Sequence, residues 1–341
     1  MPESKYDLNQ VISSLTVLPQ VEAVIKAKIG SEAPLLSEIS SYLLNLGGKR
    51  IRPILTLMMA KAFGPNDGFN RSSLQKLIDV AAGIELIHMA TLLHDDIIDK
   101  SALRRHNESP LARYGPDNTL LAGDFLLVRA FGLCARLDKY IIDATEAACV
   151  ALTEGEIMET SLTKEPHSLE SSLEIARRKT AALFKLAAQT ALHLAGASHP
   201  VVEYMAGFGE QVGIAFQIVD DILDVTSNDD LLGKKTGQDL RERKPSVVNT
   251  LWLETKSALS QGLRSAPGPQ EDSFIEQALK EIRAGPVINK AKELALSFAV
   301  GGLQSLQSAV QHHTVHDGRS TDQQTVSSLG DLVQYVLGRM N

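Results

Sequence analysis

The pattern Asp-Asp-x-x-Asp occurs twice in this chain, beginning at Asp95 and again at Asp220. On a helix, residues four apart lie on one face, so the first and last carboxylates of each pattern would lie one turn apart. Such oxygens suit a hard divalent cation, and Mg²⁺ usually takes one or two protein carboxylates and completes its shell with water and substrate phosphate. The duplicated pattern therefore predicts a magnesium site, in two halves, that binds a diphosphate.

Basic residues accompany both acidic patterns. The segment GGKRIRP, residues 47–53, opens with two glycines at the expected start of a helix, where free backbone N–H groups also favour anions. Arg104 and Arg105 follow the first acidic pattern, and residues 234–244 place several lysines and arginines after the second. A surface charge cluster is the ordinary explanation of any one of these segments. Their joint occurrence beside the acidic patterns favours binding of phosphate groups.

Two polar residues share helix faces with the acidic patterns. His88 lies seven residues before Asp95 and nearly in line with it, which favours a donor to phosphate over a core histidine. Gln217 lies one turn before Asp221, so its amide is expected to point into the same site. Both side chains are therefore predicted to line the diphosphate site.

Helical periodicity recurs almost throughout the chain, and alternating runs typical of strands do not. Long apolar runs over 77–99 and 201–224 lead straight into the two acidic patterns, and these two helices are expected to face one another. We therefore predict an all-α fold, a helical bundle around a central cavity. Residues 1–341 would form one domain, with 1–25 as a loosely packed N-terminal extension.

Composition excludes several classes of protein. With 341 residues, of which 44% are hydrophobic, the chain can form a large core, and its net charge of -7 argues against non-specific binding to nucleic acid. We see no secretory signal and no run of about 18 uncharged apolar residues that would indicate a membrane span. Cys134 and Cys149 lack zinc or disulfide spacing and are predicted to be buried thiols. We expect a cytoplasmic protein.

Two other patterns receive structural interpretations. Residues 207–213 contain three glycines that superficially resemble a dinucleotide fingerprint, but no strand precedes them, and close helix packing is favoured. His312 and His316 have the spacing of a metal-binding pair on a helix, but a solvated loop is favoured for this segment.

These motifs together resemble those of the trans-isoprenyl diphosphate synthases, also called polyprenyl synthetases. The likeness extends from about Leu43 to Leu253, with a weaker tail ending at Leu332 to Arg339. It rests on GGKRIRP, ELIHMATLLHDDIID, RR, LAGD, KTA, FQIVDDILD and GKKTGQDL in the family's order. The resemblance, which is to medium- and long-chain members, implies an isoprenoid-synthase-type bundle and a homodimer. It also implies an enzyme that uses Mg²⁺, with three ions per active site, to join an allylic diphosphate to isopentenyl diphosphate.

The resemblance implies a role for each motif residue. The implied metal ligands are Asp95, Asp99 and Asp220, with Asp96, Asp221 and Asp224 supporting them. The residues implied to hold isopentenyl diphosphate are Lys49, Arg52, His88 and Arg105. Those implied to surround the allylic diphosphate are Arg104, Lys179, Thr180, Gln217, Lys234 and Lys244. The cations would stabilise the departing diphosphate, the double bond of isopentenyl diphosphate would attack the allylic carbon, and the released diphosphate would accept the proton.

The length of the product is predicted from the residues about one turn before Asp95. In relatives that stop at short products, bulky aromatic side chains occupy this region, whereas here the pair is Ala90 and Thr91. An open tunnel and products longer than farnesyl diphosphate are therefore expected, with Phe131 or Leu127 as candidates for the tunnel floor. A product of that length would favour peripheral association with a membrane.

Two other functions stay open at the level of sequence. A class I terpene cyclase shares the first Asp motif but typically lacks a second one, and it has no use for the GGKRIRP segment. A non-catalytic, regulatory subunit of a heteromeric synthase would be expected to have lost carboxylates, whereas both patterns are complete here.

Overall fold

Helices make up nearly all of the described chain, as the apolar periodicity predicts. The computed structural model describes residues 15–162, 168–227, 236–265 and 271–340. The first helices are α1 (Leu18–Lys28), α2 (Pro34–Asn45), α3 (Ile51–Phe63), α4 (Arg71–Ile98), α5 (Pro110–Tyr114) and α6 (Pro116–Cys134). The later ones are α7 (Lys139–Leu162), α8 (Leu169–Ala176), α9 (Ala182–Leu194), α10 (His199–Thr226), α11 (Gln238–Arg241), α12 (Val247–Glu254), α13 (Ala258–Ser265), α14 (Asp272–Ala284), α15 (Val287–Gln311) and α16 (Gln323–Gly338). Two π-helical turns, π1 (Arg177–Ala181) and π2 (His312–His316), and a hairpin of β1 (Leu103–Arg104) with β2 (Asn107–Glu108) complete the described elements.

The acidic patterns lie at the ends of two long helices, α4 and α10, each of 28 residues. Helix α4 begins where the side chain of Asn70 accepts a hydrogen bond from the N–H of Ser73 at 2.9 Å, which satisfies one free donor of the first turn. Helix α10 has Pro200 in its first turn, where a missing N–H costs nothing. The helices predicted over 77–99 and 201–224 are therefore confirmed.

The core brings α10 against α9 and α15, while α4 packs against α6. A Cβ atom at Gly209 would lie 2.5 Å from the carbonyl oxygen of Phe184, and one at Gly213 would lie 2.5 Å from the Cα atom of Ala181. Because only a hydrogen atom fits at these two positions, α10 approaches α9 and π1 closely. The interpretation of the glycine pattern as a packing motif is confirmed.

The turn π1 interrupts an otherwise continuous helix from α8 to α9. A π-helical turn widens the helix by one residue, and such turns are frequent at functional sites. Here the turn carries Lys179 and Thr180, which both line the central cavity. No feature of the sequence signals this change of helix type.

Two local expectations are wrong. Residues 18–25 do not form a loose extension, because they belong to α1, whose Val21 and Ile25 are fully buried; residues 1–14 lie outside the described residues. The segment 312–316 is not a solvated loop but the turn π2, in which His313 is fully buried with its ring 5.3 Å from that of Phe63. In both segments, packing of buried side chains against the core stabilises a helical conformation although the local sequence is polar.

Among the described residues, one helix, α4, is long and apolar enough to cross a membrane by length and composition alone. Of its most apolar window, 72% is buried inside the protein, as in the core helix of a globular fold. Cys134 is buried, Cys149 is half-buried, and both are free thiols. Burial raises the pKa of the Cys149 thiol to about 11, so this thiol is protonated at neutral pH.

Candidate active site

A cavity of about 380 Å³ lies between the C-terminal ends of α4 and α10. Both acidic patterns contribute to its wall, so the two helices face one another across it, as predicted. The residues of the sequence prediction that line this cavity are Arg52, His88, Thr91, Asp95, Arg105, Lys179, Thr180, Gln217, Asp220, Asp221 and Lys244. Predicted residues from six separate segments of the sequence therefore converge on one site.

Other predicted residues lie near the cavity without lining it. These are Lys49, Ala90, Asp96, Asp99, Arg104 and Asp224, while Lys234 lies outside the described residues. Of the chain-length pair, only Thr91 reaches the cavity, because Ala90 is fully buried in the core. Neither candidate for the tunnel floor lines the cavity, and Phe131 is 40% exposed on the surface of α6.

The first two carboxylates of the first acidic pattern have different surroundings. Burial raises the pKa of Asp95 to about 7, with smaller effects of the same sign from Glu156 and Asp99. Asp96 is fully buried and accepts hydrogen bonds from Nη2 and Nε of Arg104, the former at 2.7 Å. Asp95 thus faces the cavity, whereas Asp96 fixes the hairpin to α4.

The second acidic pattern divides in the same way. Asp220 lines the cavity and accepts a hydrogen bond from Nη2 of Arg339 at 2.7 Å. Asp221 accepts from the side chain of Gln217 and from the N–H of Val247, each at 2.8 Å, while burial raises its pKa well above the usual range. Asp224 accepts from the N–H of Asp239 at 3.1 Å. The inner carboxylates therefore order the chain that follows α10 around the cavity.

The donor set of the cavity fits a divalent cation. Carboxylates of both patterns line the same cavity, and the raised pKa of Asp95 reflects mainly the cost of burying its negative charge, with smaller contributions from Glu156 and Asp99. A hard cation removes that cost by neutralising the carboxylates, and oxygen ligands are the ones that Mg²⁺ and Ca²⁺ prefer. Asp95 and Asp220, opposite one another, are the residues that would hold it first.

A group of basic residues in the cavity lining consists of Arg52, Arg105 and His88. Burial lowers the pKa of all three, and for His88 the neighbouring arginines lower it further, so its imidazole is neutral at physiological pH. Beneath them, Glu85 is 3% exposed and pairs with Nη1 of Arg50 at 3.0 Å. This buried carboxylate partly balances the arginine charges.

Two backbone features bring the arginines of this cluster together. Gly48 has a φ of +147°, and a Cβ atom there would lie 3.1 Å from Nη1 of Arg105 and 3.2 Å from Nη1 of Arg50. Arg105 itself forms the tip of the hairpin with His106, at φ values of 52° and 66°. Two consecutive left-handed residues are characteristic of the tight turns that close hairpins. The hairpin, which the sequence does not signal, thereby directs Arg105 into the cavity.

A second cation group in the cavity lining consists of Lys179 and Lys244, whose carboxylate partners differ from those of the arginines. Lys179 donates to Glu156 and Glu159, each at 2.6 Å, and Lys244 donates to Asp99 at 2.7 Å. Burial opposes the charge of both lysines, but their carboxylate partners raise the pKa of each above its usual range. Both groups are therefore firmly cationic at neutral pH.

Thr180 and Gln217 form a polar pair between the two cation groups. The hydroxyl of Thr180 donates to Oε1 of Gln217 at 2.5 Å, and the amide of Gln217 continues to Asp221. Their oxygen atoms therefore lie at the cavity wall beside the second acidic pattern, where they can direct dipoles toward a developing positive charge.

The C-terminal helix contributes contacts that the sequence does not indicate. Tyr335 lies under the ammonium group of Lys49, whose Nζ atom is 5.1 Å from the ring centroid. One turn later, the guanidinium of Arg339 lies 4.9 Å from the ring centroid of Phe216 and pairs with Asp220. Because these partners are separated by well over a hundred residues in sequence, only the tertiary fold reveals them.

The arrangement defines a class of enzyme. Two acid-rich helix ends oppose one another, and two separate groups of basic residues line the same cavity. That combination can bind two diphosphates, one beside the carboxylates and one cation group, and the other beside the second cation group. It is the site of a helical synthase that transfers a group from a diphosphate.

Comparisons with known proteins specify the family. The chain matches the family model described as "Polyprenyl synthetase" over residues 33–282. It is 36% identical to octaprenyl diphosphate synthase of Haemophilus influenzae over 297 residues, which cover 86% of this chain and 87% of that protein. It is 40% identical to the all-trans-nonaprenyl-diphosphate synthase (geranyl-diphosphate specific) of Rhodobacter capsulatus over 291 residues, which cover 84% of this chain and 87% of that protein.

Solved structures agree with the sequence comparisons. The polyprenyl synthase from Caulobacter crescentus superposes on this chain with a TM-score of 0.87 at 25% identity, and the match covers all of both chains. The decaprenyl diphosphate synthase from Rhodobacter capsulatus superposes with a TM-score of 0.85 at 28% identity, and the match covers 98% of this chain and 99% of that one. The chain belongs to the polyprenyl synthetase family. It is a prenyltransferase that condenses isopentenyl diphosphate with an allylic diphosphate to make a polyprenyl diphosphate.

Proposed function

We propose that this enzyme is a Mg²⁺-dependent, homodimeric trans-prenyltransferase whose product is longer than farnesyl diphosphate. The observation that supports this function most directly is that Asp95 and Asp220, from two different helices, line one cavity together with two separate groups of basic residues. Each cation group matches one of the two diphosphates that a condensation requires.

The metal dependence is supported by the donor set and by a relative. The proposed ligands are Asp95, Asp99 and Asp220, with three ions per site. The Caulobacter crescentus structure is of a complex with calcium and isoprenyl diphosphate. Calcium, like magnesium, is a hard cation that prefers oxygen ligands. When bound, the ions supply positive charge that stabilises the diphosphate as it departs.

The residues of the chain supply the rest of the chemistry. Lys179 and Lys244 bind the allylic diphosphate as negative charge develops on it, and Thr180 with Gln217 directs oxygen dipoles toward the cation left behind. Once the carbon–oxygen bond has broken, the double bond of isopentenyl diphosphate attacks this allylic cation, and the carbocation formed by the new carbon–carbon bond loses a proton to the released diphosphate. Closely packed helices keep water from capturing the cation as an alcohol.

The proposed product length is supported by Thr91, a small residue in the cavity wall, and by the relatives. The most similar proteins reported above are named octaprenyl and nonaprenyl diphosphate synthases. A side chain as small as threonine leaves space at the point where a growing apolar chain leaves the site.

The proposed homodimer is supported by apolar side chains exposed on α6 and α7. They are Leu120, Leu121, Val128, Phe131, Ile142, Val150 and Ile157. Clusters of exposed apolar residues on neighbouring helices are typical of protein interfaces, and a twofold dimer would bury the same face of both copies. Light scattering should give twice the mass of the 36.9 kDa chain for the wild type. Val128→Glu should shift the mass toward that of one chain.

The experiment that tests the enzymatic function is incubation of the pure protein with Mg²⁺, isopentenyl diphosphate and farnesyl diphosphate, with products resolved by length. We expect a polyprenyl diphosphate longer than farnesyl diphosphate, and no product when EDTA replaces Mg²⁺. Elongation only after addition of a second, different chain would instead indicate a regulatory subunit. Conversion of the allylic diphosphate alone into a cyclic hydrocarbon would indicate a terpene cyclase.

A further inference from the structure

Glu159 of helix α7 lines the active-site cavity, although it belongs to no motif of the sequence analysis. Its Oε2 atom lies 2.6 Å from Nζ of Lys179 and 3.9 Å from Nζ of Lys244. Among the described ion pairs, no other carboxylate lies within 4.0 Å of both ammonium groups. Glu159 is therefore shared between the two lysines on the allylic side of the cavity.

The two lysines reach the cavity from different parts of the fold. Lys179 comes from π1, and Lys244 comes from the segment between α11 and α12. Two ammonium groups brought together in a half-buried site repel one another, and nothing in their local sequence holds them at a fixed spacing. The carboxylate that both can contact sets that spacing.

The other partners of the lysines are not shared. Glu156 contacts Lys179 at 2.6 Å, and Glu242 contacts Lys244 at 3.0 Å. Glu154, two residues before Glu156 on α7, is more than half exposed and pairs with Arg178 outside the cavity. On this helix, Glu159 therefore contacts both lysines, Glu156 contacts only Lys179, and Glu154 contacts neither.

We propose that Glu159 is a positioning residue that holds Lys179 and Lys244 at the separation needed to receive the allylic diphosphate. The proposal rests on the proposed function, in which these two lysines bind that diphosphate. With Glu159 in place, the ammonium groups converge before substrate arrives, so little reorganisation is needed on binding. Without the negative charge of Glu159, the two ammonium groups repel one another and move apart, and the site for the allylic diphosphate is less well ordered.

An opposite role for Glu159 makes the opposite prediction. If its carboxylate only competed with the substrate for the lysines, removing its charge would free both ammonium groups and tighten binding of the allylic diphosphate. The direction of the change in KM therefore distinguishes positioning from competition.

The test is steady-state kinetics of Glu159→Gln with farnesyl diphosphate and isopentenyl diphosphate varied separately. We expect the KM for farnesyl diphosphate to rise about tenfold, because the diphosphate would lose about one ionic contact with the displaced lysines. The KM for isopentenyl diphosphate should stay within about twofold of the wild type, because Glu159 pairs with the two lysines and, among the described ion pairs, with neither Arg52 nor Arg105. Glu159→Asp, which keeps the charge on a shorter side chain, should restore part of the lost affinity.

The neighbouring glutamates are matched controls on the same helix. Glu156→Gln should raise the KM for farnesyl diphosphate less than Glu159→Gln does, and Glu154→Gln should behave as the wild type. An unchanged or lowered KM in Glu159→Gln, or a larger effect in Glu156→Gln, would overturn the proposal. Equal rises in both KM values would overturn it as well, because they indicate general damage to the fold.

The proposed function is checked independently by the wild type and Glu154→Gln. If both elongate farnesyl diphosphate with Mg²⁺, the enzymatic function stands whatever Glu159→Gln does. If Glu159→Gln does not fold, as judged by its thermal unfolding midpoint, the comparison of Glu159→Asp with Glu156→Gln decides the question. A KM for farnesyl diphosphate that is unchanged in Glu159→Asp would then overturn the proposal.

Discussion

The imidazole ring of His94 lies against the backbone of Gly123, where a Cβ atom would come within 2.2 Å of Nε2. His94 directly precedes Asp95 at the end of α4, so the contact with α6 fixes the helix end that carries the first acidic pattern. Gly123→Ala should displace this ring, because overpacking forces neighbours to shift and typically costs about 1–3 kcal/mol. We expect that loss in chemical denaturation, together with a lowered kcat/KM.

Gly330, inside α16, provides the control. A Cβ atom at this position would meet only Cδ2 of Leu303, at 4.0 Å, which is an ordinary van der Waals contact. Gly330→Ala should therefore gain stability, by up to about 1 kcal/mol, since alanine is the better helix former. If the two substitutions had the same effect, contact with His94 would not be the cause.

The buried pair of Glu85 and Arg50 should matter far more than an exposed one. Glu85→Gln leaves the guanidinium of Arg50, which is 13% exposed, next to other arginines without its carboxylate. We expect a loss of about 3 kcal/mol in unfolding free energy. The KM for isopentenyl diphosphate should rise, because the arginine cluster is no longer held together. Asp143→Asn, which breaks an exposed pair with Lys139, should cost less than about 0.5 kcal/mol.

Asp95 should make the metal-free protein less stable at alkaline pH. Its pKa is about 7 in the folded protein against 3.8 as an ordinary value, with burial as the main cause. The folded state therefore keeps a proton that the unfolded state has lost between these two pH values, so stability falls as pH rises across this window and stays lower above it. Asp95→Asn removes this dependence. In EDTA at pH 8, we expect Asp95→Asn to be more stable than the wild type by on the order of 1 kcal/mol. At pH 4, the two proteins should have the same unfolding free energy.

The same pair of proteins should respond differently to metal. Mg²⁺ with inorganic diphosphate should raise the unfolding midpoint of the wild type at pH 8, because ligands that bind the folded state stabilise it. Asp95→Asn should gain less and should have lost its prenyltransferase activity. An equal gain in both proteins would show that Asp95 is not a ligand.

The parts of the site that could be predicted from sequence are those encoded by local runs of residues. The acidic patterns are visible because their spacing matches one helical turn, and the helices are visible because their apolar faces repeat at the helical period. Gln217 was found in the same way, from its position one turn before Asp221. Each of these signals is contained within a few residues of one helix.

The parts that could not be predicted depend on where distant segments cross. Glu159 and Arg339 look like ordinary helix charges in sequence, and only the fold brings them to Lys179 and Asp220. The inner carboxylate Asp96 looks identical to its neighbour Asp95, yet burial against Arg104 gives it another environment. Residue type and spacing predict which groups a site contains, whereas pairing within it is set by tertiary packing.

Ala90 and Thr91, the two residues of the proposed chain-length pair, have different surroundings. Thr91 lines the cavity and donates to the carbonyl of His88 at 2.8 Å, whereas Ala90 is fully buried between helices. Thr91→Phe should place a phenyl ring in the path of the growing chain and shorten the product. Ala90→Phe should instead overpack the core, which costs about 1–3 kcal/mol or more, and mainly reduce the amount of folded enzyme. Thr91→Val, which conserves volume, should keep the wild-type product length in a chain-length assay. If Thr91→Phe made the wild-type product, the tunnel would not start at this residue.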